Sequence, residues 1–399
     1  MIGALNTRRL EHAASEAMSS LHMLDFSGAT QPAVWTTPTM WVRNPYLRIL
    51  YSRMLNHNIL FSPARSIPAI IEMRGKLPSQ IPLVMHLHWT TPVLHSIHDR
   101  DKAKAAADAY IKQVENAKSK GISVVWTIHN ELPHDSVFED MDLDLQRRVL
   151  ELCDATHIMS ERTEELCSEW FAGAPTETIR VPHPSYHGAY PDYIGRADAR
   201  MQLGVSPGEI VFLLFGAIKP YKGLIECADA INALAEERPV RLVVAGRPDK
   251  ASETAEFLER ASTNPAIITH ADFIGEQDVQ VFFRAADISV LPYRRTLNSG
   301  SLALALTFGL PVVMPQDSGS LPLLDPSYSA VFDGSDPQGL QTGLRDALDR
   351  LCTPGARVAA EQAGLRVRSD MVADEFARQS QAWIARHVAH VQHTSGVTQ

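Results

Sequence analysis

Short continuous apolar runs alternate, along nearly the whole 399-residue chain, with stretches whose apolar residues recur every three or four positions. In the first half, Ala33–Thr37, Asn58–Phe61, Pro82–His86, Ser123–Ile128, Ala155–Met159 and Thr178–Val181 read as strands. In the second half the same reading applies to Ile210–Phe215, Arg241–Ala245, Ala266–Thr269, Ile288–Leu291, Pro311–Met314 and Ala330–Phe332. Between the strands, Lys102–Lys120 sets Ala103, Ala107, Tyr110, Ile111, Val114 and Ala117 on one helical stripe, closed by Gly121. A second stripe runs through Leu224, Cys227, Ala228, Ile231 and Leu234. Strands apolar on both faces and separated by helices imply parallel sheets covered on both sides. Two such series predict an α/β chain of two doubly wound, Rossmann-like domains.

The break between them falls near residues 183–207, where "HPSYHGAYPDYIGRADAR" carries neither period. The expected division is an extension over residues 1–30, a first domain over 31–190, a second over 191–375 and a final helix over 376–399. The helical pattern Ser369–His390 is too long to be a cap on the second domain.

Composition narrows the function classes. An apolar fraction of 45% with 21% charged residues is that of a globular protein with room for substantial cores. A net charge of −9 argues against a general nucleic-acid binder, because phosphate neutralisation needs basic surface. Cys153, Cys167, Cys227 and Cys352 are far apart and form no CxxC pair, so they read as reduced packing residues. Neither a secretory leader nor a membrane-spanning run is visible, and the expected place is the cytoplasm. One stretch runs against the acidic balance. Between Trp41 and Lys76, Arg43, Arg48, Arg53, Arg65, Arg74 and Lys76 face a single acid, Glu72, with Trp41, Tyr46, Tyr51 and Phe61 interleaved. Such a stretch suits either an anionic membrane surface, giving a peripheral contact on its inner face, or the basic outer side of a packed helix.

In open parallel sheets, ligands bind beyond the carboxyl ends of the strands, and that is where the polar loops lie. After Ile210–Phe215 comes "GAIKPYKG", with Gly216, Lys219, Lys222 and Gly223; after Arg241–Ala245 comes Arg247; after Ile288–Leu291 come Tyr293, Arg294 and Arg295. Asn298, Ser299, Gly300 and Ser301 then open a helix whose first N–H groups suit an anion. Cations and a helix start at three strand ends together read as a diphosphate cradle. The first half offers titratable groups instead. "HLHWTTP" places His88 and Trp89 beyond one strand, and "HNELPHD" places His129, Asn130, Glu131, His134 and Asp135 beyond another. His129, Glu131 and Asp135 are candidates for general acid–base work. His86, His88, His129 and His134 also admit a metal reading, which lacks any known ligand spacing. The carboxylates of Asp140–Asp144 open a helix and read as electrostatic capping.

Taken in order, Gly216-x-Ile218-x3-Lys222-Gly223, Val243-Val-Ala-Gly246, Ala286-Asp287-x3-Leu291-Pro292-Tyr293 and Ser299-Gly300-x8-Gly309-Leu-Pro-Val-Val313 resemble the donor domain of GT-B glycosyltransferases. "HLHW" and "TIHN" resemble their acceptor domain. The resemblance covers most of residues 80–350. It implies two domains facing across a cleft, a nucleotide-diphosphate sugar in the C-terminal domain, an acceptor in the N-terminal one, no metal, and a last helix crossing back to the first domain. On this reading His129, Glu131 and Asp135 are catalytic, and His88, Trp89 and Asn130 lie on the acceptor side. Gly216, Lys219, Lys222, Gly223, Arg247, Tyr293, Arg294, Asn298, Ser299, Gly300 and Ser301 hold the donor.

Two departures from the glycogen-synthase-like branch matter. Gly216-Ala217-Ile218 lacks that branch's diphosphate-binding arginine, and Thr296 and Leu304 stand where it carries two glutamates. "NSGSLALALTFGLPVV" is more similar to bacterial exopolysaccharide mannosyl- or glucosyltransferases, including the xanthan-type β-mannosyltransferases. The expected activity is transfer of a hexose from GDP-mannose or a UDP-sugar to a hydroxyl of a bacterial glycan or lipid-linked acceptor, with inversion or retention left open. A non-catalytic nucleotide-sugar or glycan-binding protein and a sugar-nucleotide epimerase are the alternatives on the same fold.

Overall fold

The computed structural model describes residues 32–38, 45–133, 136–168, 177–293 and 296–395, with side chains to residue 387. The chain divides into two compact units, one of residues 1–182 with 370–399 and the other of residues 183–369.

The first unit is built on a six-stranded parallel sheet. Its strands are β1 (Ala33–Thr36), β2 (Ile59–Phe61), β3 (Leu83–Leu87), β4 (Ser123–Thr127), β5 (Ala155–Ile158) and β6 (Thr178–Arg180), in the order β2-β1-β3-β4-β5-β6. Every residue of β1, β3 and β5 is buried, as expected of strands covered on both faces. The helix Arg100–Ser119 starts at Asp99, whose carboxylate accepts from the Lys102 N–H, and buries Ala103, Ala107, Ile111, Val114 and Ala117. Tyr110 leaves that stripe: it is only half-buried and lines a hollow described below.

The last helix, Ser369–Ser395, supplies Phe376 and Trp383 to this unit, both edge-on to the Trp35 ring at centroid distances of 5.8 and 6.3 Å. His57 to Asp374, Arg180 to Gln379 and Arg386 to Glu177 add polar ties along its length.

In the second unit, β7 (Ile210–Phe215), β8 (Val240–Ala245), β9 (Ile267–His270), β10 (Ile288–Val290), β11 (Val312–Pro315) and β12 (Ser329–Phe332) form another parallel sheet in the order β12-β11-β10-β7-β8-β9. Its core runs from Phe212, Leu214 and Val244 to Ile231 and Leu234 of the helix Leu224–Ala235 and to Leu344 of the helix Gly339–Arg350. All four cysteines are free thiols, with Cys153, Cys167 and Cys227 buried and Cys352 exposed. Among the described residues, no helix is long and apolar enough to cross a membrane.

The strand orders locate the binding crevices. The sense in which successive strands are added to the sheet reverses between β1 and β3 in the first sheet, and between β7 and β10 in the second. At such a switch point two connections leave on opposite faces and open a gap beyond the strand ends.

Candidate functional site

In the second unit the gap at the β7–β10 switch is occupied by the turn that follows β7. Gly216 takes a φ of 99°, and a Cβ there would lie 2.9 Å from the Lys222 Nζ. The chain then makes a short 3-10 turn, Pro220–Lys222, and enters the helix Leu224–Ala235 through Gly223 at φ 63°, whose added Cβ would lie 2.9 Å from the Pro292 carbonyl oxygen. Gly246, at the end of β8, backs so closely on Gly216 that a Cβ would meet its carbonyl at 2.1 Å. The glycines therefore make room for the protein's own backbone and for one ammonium, rather than lying bare against a ligand.

That ammonium is the centre of the site. Lys222 is only 3% exposed, although a lysine at a strand-end turn reads from sequence as a solvated charge. Its Nζ donates to the Phe215 carbonyl at 2.9 Å and lies 5.5 Å from the Tyr293 ring centroid. Among the described residues no carboxylate is recorded against it. Burial, and then the neighbouring Lys219, lower its pKa to about 7. An anion placed against it would restore full charge and supply the missing partner.

The helix Gly300–Thr307 begins beside this turn, at the end of β10. Ser299 is its N-cap, with the hydroxyl accepting from the Leu302 N–H at 3.1 Å. A Cβ on Gly300 would lie 3.1 Å from the Tyr186 hydroxyl and 3.6 Å from the His183 Nε2. His183 and Tyr186 thus stand against the helix start, although their segment reads from sequence only as a linker. His183 is held low, at about 4, by burial. Arg247 is exposed and lies over the Phe273 ring at 5.5 Å. Tyr293 is buried, and Arg294 and Arg295 lie outside the described residues. Where the glycogen-synthase-like branch carries glutamates, Thr296 bonds the Asn298 carbonyl and Leu304 is buried.

In the first unit a hollow of about 480 Å³ opens beyond β1 and β3, lined by Thr37, Arg65, His88, Trp89, Tyr110 and Gln113 among others. Behind it lies a set of histidines. His88 Nδ1 and His129 Nε2 are 2.9 Å apart, and Trp89 stacks on His129 at 4.2 Å with Tyr46 edge-on at 5.4 Å. His88 Nε2 meets the Tyr51 hydroxyl at 2.5 Å, which in turn meets His86 Nδ1 at 2.8 Å. The structure therefore brings His86, His88 and His129 together, but with ring nitrogens directed at one another and at hydroxyls. Among the described residues, no group of three potential ligands is arranged to hold a metal ion.

Glu131 approaches the buried Cys167 thiol, which burial first and that carboxylate second push up to about 12. Asn130 is half-buried in the same loop, and His134 and Asp135 lie outside the described residues. Asp142 stands in the first turn of the helix Glu139–Leu152, where its buried carboxylate accepts from the Ser136 hydroxyl at 2.5 Å.

In the basic stretch, Tyr46, Tyr51 and Ile59 turn inward as core residues, and Arg74 donates to the carbonyls of Leu77, Pro78 and Ile81. Lys76 pairs with Glu72. Arg48, Arg53 and Arg65 remain exposed, with Leu55 exposed beside them, while Trp41 and Arg43 lie outside the described residues.

Residues 209–350 match the family described as Glycosyl transferases group 1. A GDP-mannose:glycolipid 4-beta-D-mannosyltransferase of Xanthomonas campestris pv. campestris is 28% identical over 311 residues, which is 76% of this chain and 79% of that protein. Sucrose-phosphate synthase from Thermosynechococcus elongatus superposes with a TM-score of 0.68 at 14% identity, covering 89% of this chain and 100% of that one. Anabaena HepE in complex with UDP-glucose does so with a TM-score of 0.65 at 13% identity, covering 88% and 99%. At these identities the two structural likenesses are likenesses of fold.

Proposed function

This chain is a nucleotide-sugar glycosyltransferase of the GT-B fold, and we propose that it moves mannose from GDP-mannose to a hydroxyl of a lipid-linked glycan. The observation that carries the donor half is the buried Lys222 ammonium at the β7–β10 switch. The sugar and the acceptor are supported by the Xanthomonas relative, whose name specifies GDP-mannose and a glycolipid.

As the glycosidic bond breaks, negative charge collects on the leaving nucleoside diphosphate. Lys222, Lys219 and the N–H groups at the Ser299–Ser301 helix start stabilise it without having to reorganise. Lys219 takes the place of the arginine that the glycogen-synthase-like branch carries. Arg247 and Tyr293 border the donor, and Gly216, Gly223, Asn298 and Gly300 shape the turn around it. His129 is the candidate catalytic histidine, with His88, Trp89 and Asn130 on the acceptor side. Glu131 and Asp135 are the further candidates for moving the acceptor proton. No metal takes part in this scheme, and the enzyme works in the cytoplasm on acceptors at the membrane surface.

The test is transfer from a panel of labelled GDP- and UDP-sugars to a membrane-lipid extract, with and without exhaustive chelation. GDP-mannose is expected to be the best donor, and chelation to leave the rate unchanged. A preference for UDP-sugars overturns the mannose assignment. Loss of activity in chelator, restored by magnesium or manganese, overturns the metal-free scheme. Donor binding without transfer or hydrolysis favours a binding protein, and release of an epimerised donor favours an epimerase.

A further inference from the structure

The histidines of the first unit are joined to its interior by a chain of hydrogen bonds whose direction is set at its inner end by a carbonyl and again at its middle by an indole N–H. His86 on β3, Thr127 on β4 and His157 on β5 lie on one face of three adjacent strands, since His86 pairs with Val125 and Thr127 pairs with His157 in the parallel register. Trp35 on β1, which pairs with Val84, lies on that face too.

At the inner end, His157 Nε2 is 3.1 Å from the Val181 carbonyl, which can only accept. The proton of His157 is therefore on Nε2, and its Nδ1 accepts from the Thr127 hydroxyl at 3.0 Å. Thr127 has one proton and has given it away, so it accepts from His86 Nε2 at 2.7 Å. That leaves the lone pair of His86 on Nδ1. The Trp35 indole, which can only donate, points at the same nitrogen from 3.2 Å and requires the same tautomer independently. The Tyr51 hydroxyl then donates to His86 and accepts from His88 Nε2, and His88 Nδ1 accepts from His129 Nε2.

We propose that this one-way chain, through His157, Thr127, His86, Tyr51 and His88, holds His129 in the tautomer protonated on Nε2, so that its Nδ1 is the nitrogen that accepts. His88 and the four residues behind it are positioning residues. The link to catalysis rests on the reading of His129 as the catalytic histidine. On that reading Nδ1 takes a proton or a hydrogen bond from a hydroxyl and does not offer one.

Two features keep the chain from reversing. Burial first, and neighbouring histidines second, hold the pKa values of His86 and His88 well below the ordinary histidine range, so neither carries a second proton that would blur the direction. Packing also fixes the rings, because Phe376 stacks on His86 at 5.7 Å and Phe61 stacks on Tyr51 at 4.0 Å.

The test uses the full chain with isotopically labelled histidine nitrogen, in which long-range nitrogen–proton spectra show which ring nitrogen carries the proton. A His129→Gln protein assigns the His129 signals by their loss. In the wild type, His129 is expected to be protonated on Nε2. Tyr51→Phe keeps the stacked ring and removes the linking hydroxyl, so the His129 tautomers should mix. Its kcat should fall about tenfold, the equivalent of one neutral hydrogen bond, with the donor KM unchanged. Should Tyr51→Phe fail to fold, the wild-type spectrum decides through all three rings, because the chain requires the proton on Nε2 in His86, in His88 and in His129, and an Nδ1 proton on any of them breaks it. A wild-type proton on Nδ1 overturns the proposal, as does a folded Tyr51→Phe protein with unchanged tautomer and kcat. A His129→Gln protein with full kcat overturns the catalytic reading of His129 instead, while the wild-type spectrum still decides the relay.

Discussion

Lys222 is held where water is largely excluded, next to another lysine, and the low pKa is the measure of that cost. The sign of the pH dependence follows directly. Below about pH 7 the ammonium is charged both folded and unfolded, and its burial penalty is fully present. Between about 7 and the ordinary 10.5, the unfolded chain holds the proton and the native one does not, so stability rises with pH across that window. Lys222→Met should therefore raise the melting temperature of the ligand-free protein, and by more at pH 6 than at pH 9. The same change should weaken GDP binding by at least tenfold, as expected for a lost charge-assisted hydrogen bond. GDP binding to the wild type should also take up protons at pH 8, visible in calorimetry as an enthalpy that varies with the ionisation heat of the buffer. If Lys222→Met binds GDP as tightly as the wild type, Lys222 is not part of the cradle.

Between elements, the critical contact joins the turns after β7 and β8. Gly246 has a φ of 149°, and its α-carbon lies where any side chain would enter the Gly216 carbonyl. The two turns are further tied by the Ile218 N–H to the Arg247 carbonyl at 2.9 Å and by the Asp249 N–H to the Ile218 carbonyl at 3.1 Å. Gly246→Ala should push these turns apart, destabilising the second unit by roughly 3 kcal/mol or more through backbone strain and overpacking. Chemical denaturation should show this as a lower midpoint, and GDP affinity should fall with it. A variant with wild-type stability would mean that the close approach of the two turns is not maintained in solution.

Over the whole molecule, charge is distributed against its own average. The net charge is −9, yet Arg48, Arg53 and Arg65 are exposed in one stretch of the first unit with Leu55 beside them. A basic residue near an anionic lipid surface gains about 1 kcal/mol, screened by salt. Vesicles rich in anionic lipid should therefore pellet the protein at low ionic strength, less so at physiological salt, and less again after replacing Arg48, Arg53 and Arg65 with Gln. Equal pelleting of variant and wild type would move the membrane contact elsewhere. The inward turn of Tyr46 and Tyr51 removes aromatic anchors from this surface, so its pull should be mainly electrostatic and correspondingly sensitive to salt.

The twelve strands were legible in the sequence to within a residue or two, because a strand buried on both faces must be apolar throughout and a turn must break that run. The turn after β7 and the capped helix start after β10 were legible for a related reason. Glycine, lysine and a serine cap at consecutive strand ends are local chemistry, and local chemistry is written contiguously in the chain. Three things were decided only by tertiary structure. Lys222 became a buried ammonium because Gly216, Phe215 and Tyr293 close around it, and burial depends on residues far apart in the chain. His183 and Tyr186 came to the Gly300 helix start from a segment with no periodic signal of its own. The chain from Val181 to His129 arose because register aligns single polar residues of separate apolar strands on one face. Each of those polar residues, taken alone, is an ordinary interruption of a strand. Periodicity records which way a side chain points from its own backbone, and it carries no information about which side chain it will meet on the next strand. Strand order and register supply that partner, and with it the fixed direction of the hydrogen bonds.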